Sequence, residues 1–177
     1  MLFQSGSLAV RELEQNDNVL LSKWLSDPAV LEFYAGRDDP HDLDKVNAVF
    51  YAQEDDEVRC IIEYDAKAIG YIQFYPLDDE SKREYGYTDE NENIYGMDQF
   101  IGEADYWNKG IGTLLVTSMV NYLTGDKQAD VVVMDPQTRN ARAIRCYEKC
   151  GFRKVKLLPQ SELHEGKYQD CWLIEYR

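Results

Sequence analysis

A single α/β domain around a mixed, twisted β-sheet flanked by helices is the fold class this sequence predicts, and three observations carry it. Strand-like segments are frequent in the first half, and from Ile94 the order becomes strand, helix, strand, helix, strand. Val131 to Met134 is a short, wholly apolar run between two helical patterns, as a strand of the sheet interior requires. The chain has 177 residues, enough for one full core, with no repeat, low-complexity tract or linker to divide it, so one domain is expected over 1–177.

Taken in order, residues 8–13 are read as a first strand. Asn16 or Asp17 is placed to cap a helix to Leu25, with Leu20, Leu21, Trp24 and Leu25 at helical spacing. Asp27-Pro28 restarts a short helix that Gly36 stops. Residues 42–53 form a further helix, its apolar positions being Leu43, Val46, Val49 and Phe50. Residues 57–64 and 68–77 are a strand pair around a turn at 65–67, and the polar stretch 78–93 is a loop. A strand at 94–101 precedes a helix at 110–123, whose Ile111, Leu114, Leu115, Met119 and Leu123 make one apolar stripe. After the 131–134 strand, residues 139–150 are a helix closed by Gly151. Strands at 153–158 and 171–176 finish the chain.

Composition excludes several classes. Hydrophobic residues at 44% and charged residues at 29% are those of a soluble globular chain, not of a disordered or membrane one. No apolar run approaches a bilayer span, and residues 1–4 lack the basic and apolar regions of a leader, so a cytoplasmic protein is expected. Cys60, Cys146, Cys150 and Cys171 form no CxxC pair, so no metal is expected, and Cys146 and Cys150 are read as free thiols on one helical face. Net charge is −14, yet residues 139–156 carry seven bases against Glu148 alone, a +6 island in a remainder of −20. Such an island suits a phosphorylated ligand, and the acidic remainder suits a cationic one and disfavours nucleic acid. The sequence leaves monomer and dimer open, with a monomer expected.

The segment from Trp107 to Phe152 concentrates the chemistry. Gly110-Ile111-Gly112 opens a helix, where unpaired backbone N–H groups and the helix dipole gather positive potential suited to a pyrophosphate. Asp98 stands mid-strand in YGMDQFIG, where an acid among apolar neighbours needs a reason. Asp135 precedes Pro136 at a strand end, which is also a routine turn.

With YWNKGIGT and RAIRCYEKCGFR in this order, the chain resembles the GNAT N-acetyltransferase superfamily. The strings WLSDPAVLEFYAGRD, IIEY, YGMDQFIGE and LHEGKYQDC narrow the resemblance to the aminoglycoside 6′-N-acetyltransferases. They are most similar to the acetyltransferase half of the bifunctional 6′-N-acetyltransferase/2″-phosphotransferase, and the likeness implies no phosphotransferase half here. It implies acetyl-CoA as co-substrate, held by Phe100, Ile101, Lys109, Gly110, Ile111, Gly112, Thr113, Asn140, Ala143, Tyr147 and Lys149. The family pattern Arg/Gln-x-x-Gly-x-Gly/Ala begins here with Trp107, which is read as packing beneath the turn, with Lys109 as a substitute charge. The resemblance makes Asp98 the active-site acid beside the amine and Tyr147 the proton donor to the departing thiolate. Tyr34, Gln73, Tyr75, Asp98 and Asp135 would line the cleft for a cationic aminoglycoside, although packing accounts equally for the tyrosines.

The implied reaction moves acetyl to the 6′-amine by direct attack, with amides of the 97–101 strand polarising the thioester. Proton transfer from an ammonium of pKa roughly 9 to a carboxylate of about 4 costs about 7 kcal/mol, so Asp98 is a direct base, a water-relayed base or a cation anchor. Two alternatives stay open: an acetyltransferase for polyamines or protein N-termini, and a non-catalytic acetyl-CoA or polyamine-binding module.

Overall fold

The computed structural model describes residues 1–52 and 55–177. Among the described residues there are eight strands: β1 (Phe3–Ser5), β2 (Leu8–Glu12), β3 (Val58–Tyr64), β4 (Lys67–Pro76), β5 (Ile94–Ile101), β6 (Val131–Met134), β7 (Arg153–His164) and β8 (Lys167–Tyr176). They form one mixed sheet in the order β1-β2-β3-β4-β5-β6-β8-β7. Six helices flank it: α1 (Asn18–Trp24), α2 (Pro28–Leu31), α3 (Leu43–Phe50), α4 (Asp79–Tyr85), α5 (Ile111–Gly125) and α6 (Ala141–Lys149). None is long and apolar enough to cross a membrane. β6 runs parallel to β5, with Tyr95 opposite Val132, and antiparallel to β8, with Met134 opposite Ile174. All four β6 side chains are buried, as a strand paired on both sides and covered on both faces demands.

The chain forms two compact units. The first comprises Met1–Gln73, Gln99–Ile111 and His164–Lys167. Its core gathers Leu21, Trp24, Leu25, Val46, Phe50, Ile61, Tyr71 and Phe100. Trp24 meets Phe100 edge to face at 6.2 Å, and a Cβ on Gly102 would lie 2.2 Å from the Trp24 ring, so glycine is required there. Asp27 caps α2 through the Ala29 amide, and Asp42 caps α3 through the Lys45 amide. The β3–β4 turn uses Asp65 and Ala66, both with positive φ, the geometry that closes a two-residue hairpin.

The second unit comprises Phe74–Asp98, Gly112–Leu163 and Tyr168–Arg177. Leu77, Ile94, Val131, Val133 and Leu173 form a core cluster on which Tyr75, Tyr85 and Tyr87 pack. Leu115, Met119 and Leu123 of α5 are buried, while Leu114 is only partly so.

Several sequence expectations need correction. The stretch 78–93 is not simply a loop: Asp78 accepts from the Ser81 amide and starts α4, which Gly86 ends at φ +87. Acid and tyrosine composition hid a helix of about two turns that has no buried residue of its own. β7 and β8 extend to a hairpin around Glu165-Gly166, so 162–165 is a strand end and turn. β1 was not foreseen, being only three residues long. Asp17 precedes α1 without capping it; its carboxylate binds the Arg11 guanidinium at 2.8 and 2.9 Å and the Glu14 amide at 2.7 Å. α3 ends at Phe50, and Gln53, the last residue of the predicted helix, lies outside the described residues.

Candidate active site

Five segments of the second unit bring polar groups together in an acid cluster. β4 contributes Tyr75, β5 Asp98, the end of β6 Asp135, α4 Tyr85 and β7 Glu162. Gly96 allows the assembly, because a Cβ there would lie 2.5 Å from the Tyr75 ring. The Tyr75 hydroxyl hydrogen-bonds to Asp98, and burial together with the charges of Asp98 and Asp135 holds it firmly protonated. Tyr85 donates to Asp135 Oδ2 at 3.3 Å, and burial followed by Asp135 raises its pKa too.

Asp135 is the most perturbed acid of the group. Burial of its carboxyl is the largest cause, the charges of Asp98 and Glu162 add to it, and the Tyr85 bond opposes them, leaving its pKa pushed up to about 7. Cys171, whose thiol donates to Glu162 Oε2 at 3.7 Å, is pushed up to about 12 by burial and then by Glu162 and Asp135. It is therefore a thiol and not a nucleophilic thiolate at neutral pH. Among the described residues no base forms an ion pair with Asp135. A cluster of this kind favours an arriving ammonium, which restores the ionised form of Asp135 and releases its proton.

The α5–α6 face is built differently. Gly110 has φ +78 and open space where a Cβ would stand, and α5 begins at the next residue, where the first-turn amides have no partner within the helix. A Cβ on Gly112 would find only Cys146 Sγ, at 3.8 Å. Cys146 Sγ also lies 3.5 Å from Thr113 Oγ1, and Cys150 Sγ is 3.5 Å from Thr117 Oγ1, so both free thiols face α5. Asn140 immediately precedes α6, yet its carboxamide makes no capping bond. Half-buried Tyr147 has its ring 6.4 Å from Phe152, Ala143 is partly buried and Lys149 is exposed on the same helix. These features fit a coenzyme that offers a pyrophosphate to the amides and a polar arm to Asn140.

In the first unit, Phe100 is a core side chain, its ring tilted against Tyr34 at 4.7 Å and stacked on Tyr71 at 5.7 Å. Tyr71 donates to Gln73 Oε1 at 2.7 Å. Thus Tyr75, Asp98 and Asp135 of the expected acceptor set form one group, and Tyr34 and Gln73 belong to another around Phe100. Trp107 does pack under its turn, its indole donating to the Ile101 carbonyl at 2.9 Å, while exposed Lys109 lies over the Tyr106 ring. Tyr85 and Glu162 were not singled out from the sequence. No periodicity marks Glu162 as a strand residue, because positions 159–163 of β7 are all exposed.

Comparison with known proteins identifies the family. The chain belongs to the GNAT acetyltransferase family: the profile of the acetyltransferase (GNAT) domain matches residues 14–159. It is accordingly an acetyl-CoA-dependent N-acetyltransferase. The aminoglycoside N(6′)-acetyltransferase type 1 of Klebsiella pneumoniae is 29% identical over 155 residues, covering 85% of this chain and 76% of that protein. A kanamycin resistance protein of Rhizobium radiobacter is 43% identical over 61 residues, 34% of this chain and 56% of that one. The aminoglycoside acetyltransferase AAC(6′)-Ib superposes with a TM-score of 0.80 in its complex with ribostamycin and coenzyme A. That match has 26% identity over 96% of this chain and 93% of that one. With kanamycin and coenzyme A the same enzyme gives 0.78, at 27% identity over 96% and 94%.

Proposed function

We propose that this enzyme transfers acetyl from acetyl-CoA to the 6′-amine of aminoglycoside antibiotics, an activity that confers resistance. The carrying observation is the acid cluster around Asp98 and Asp135, in which Asp135 feels the charges of Asp98 and Glu162 and has no cationic partner among the described residues. An aminoglycoside brings several ammonium groups and matches that deficit, and the similarity to 6′-acetyltransferases supports the nitrogen chosen.

Acetyl-CoA supplies the activated acetyl thioester. The first turn of α5 binds its pyrophosphate through backbone amides, and Asn140 holds the pantetheine arm. Asp98, steadied by the Tyr75 hydroxyl, receives the reacting ammonium, whose proton passes to Asp98 or through water to solvent before the freed lone pair attacks the thioester carbonyl. Asp135, Tyr85 and Glu162 hold neighbouring ammonium groups. Tyr147 donates its proton to the departing thiolate, a role for which a phenol is protonated at neutral pH.

Acetyl-CoA incubated with kanamycin A, tobramycin, amikacin, paromomycin and spermidine, with thiol release followed, tests the proposal. Kanamycin A, tobramycin and amikacin, each bearing a 6′-amine, are acetylated; paromomycin, with a 6′-hydroxyl, is not turned over efficiently. NMR of the kanamycin product places the acetyl group on the 6′-nitrogen. Acetylation at the 1- or 3-amine overturns the regiochemistry, and turnover of spermidine alone puts a polyamine substrate in its place.

A further inference from the structure

A second buried carboxylate in the same unit is fully compensated. Glu175 on β8 is 2% exposed and accepts from Tyr87 at 2.7 Å, from Arg153 at 2.6 Å and from Arg177 at 3.2 Å. Arg177 also reaches Glu92 Oε1 at 2.8 Å, Lys82 binds the Glu92 carbonyl at 2.9 Å, and Lys156 binds the Glu84 carbonyl at 3.0 Å. The Tyr87–Glu175, Arg177–Glu92 and Lys156–Glu84 bonds fasten the 79–93 segment to β7, β8 and Arg177, and the Lys82–Glu92 bond ties it to itself.

The connection to the acid cluster runs through three consecutive residues. Tyr85 ends α4 and donates to Asp135; Gly86 reverses the chain at φ +87; Tyr87 donates to Glu175. The Gly86 and Tyr87 amides return to the Arg83 and Lys82 carbonyls at 3.0 and 2.9 Å, a paired C-terminal cap that makes the corner rigid. Wherever Tyr87 is held, Tyr85 is therefore held too.

We propose that Tyr87 and Glu175 are positioning residues for the acceptor: the bond between them latches the 79–93 segment so that Tyr85 stays on Asp135. This rests on the reading that the Asp98–Asp135 cluster receives the cationic substrate. Neither residue touches that substrate, and both act through the Tyr85 hydroxyl.

Tyr87→Phe removes one hydroxyl and leaves the ring packed. With kanamycin A as acceptor its KM rises about five- to tenfold, the loss of one hydrogen bond to a charged group. Its kcat and the acetyl-CoA KM stay within about twofold, because the α5–α6 face is not involved. Amide exchange of residues 79–92 accelerates while that of 111–125 does not change. Tyr85→Phe also raises the kanamycin KM, and the double variant is no worse than Tyr85→Phe alone, since Tyr87 acts only through Tyr85. Additive effects in the double variant overturn the proposal, as does faster exchange with an unchanged acceptor KM. Should the wild type acetylate spermidine and not kanamycin, the aminoglycoside reading fails. The same three variants measured with spermidine then decide the latch.

Discussion

Asp135 and Glu175 sit on neighbouring strands of one sheet and meet opposite fates. Glu175 has two guanidiniums and a phenol hydroxyl; burial opposes its charge, but those partners prevail and hold its pKa below the usual range. Asp135 has a phenol and two other acids, so burial and repulsion drive its pKa up to about 7. A buried carboxylate with its cations built in is part of the fold. One that lacks them is, on the proposed reading, the seat of a cation from outside, and the protein carries the cost until that cation arrives.

The most severe way to challenge this contrast is Asp98→Asn, which keeps the shape of the acid cluster but removes a charge and the amine's partner. Turnover with kanamycin falls about a hundredfold to ten-thousandfold, the range of a lost acid–base or orienting group, while acetyl-CoA affinity is retained. Near-normal turnover between pH 6 and 8 in a folded variant removes Asp98 from the mechanism. Tyr147→Phe, on the other face, slows the chemical step about tenfold to a hundredfold with little change in aminoglycoside binding. Stopped-flow single turnovers isolate that step, and an unchanged rate there makes Tyr147 a packing residue.

Asp135→Asn sharpens the comparison through pH. In the wild type, kanamycin binding tightens as pH rises through about 7 and Asp135 ionises. The variant loses that step and binds about tenfold more weakly above it, as loss of one charged contact implies. Titration calorimetry from pH 6 to 8 reads both effects. Arg153→Ala is the mildest test: its side chain is 72% exposed and Arg177 still serves Glu175, so unfolding free energy falls by less than about 1 kcal/mol. A larger loss in urea titration shows Arg153 to be the principal counter-ion.

The proposed coenzyme face was readable in the sequence because each of its two parts is contiguous. Gly110 and the following turn, and Asn140 with its helix, each announce themselves within a dozen residues, and backbone amides need no particular side chains. The acid cluster was half legible. Asp98 stood out as an acid in an apolar strand, but Tyr85 and Glu162 join it only through tertiary structure, one from a helix hidden in polar sequence and one from a strand longer than its apolar pattern. Glu175 gave no signal at all in LIEYR, since an acid near a chain end is ordinarily solvated. Only the approach of Tyr87, Arg153 and Arg177 identifies it.

Thermal unfolding at pH 8 of the wild type, Asp135→Asn and Glu175→Gln, each with and without kanamycin, tests the central contrast most directly. Asp135 has a raised folded pKa, so its favourable contribution exists below about pH 4 and is lost as pH rises through about 7. At pH 8 its ionisation costs the free fold up to the order of 4 kcal/mol, which the neutral amide avoids. Glu175 has a depressed folded pKa, so its contribution is present above the unfolded value, includes pH 8, and is lost only in acid. The account predicts opposite signs without ligand: Asp135→Asn melts higher than wild type and Glu175→Gln lower. It also predicts that saturating kanamycin stabilises wild type and Glu175→Gln by about 1.4 kcal/mol more than Asp135→Asn, the worth of tenfold in affinity. Two variants that both melt lower, with equal stabilisation by kanamycin, contradict it.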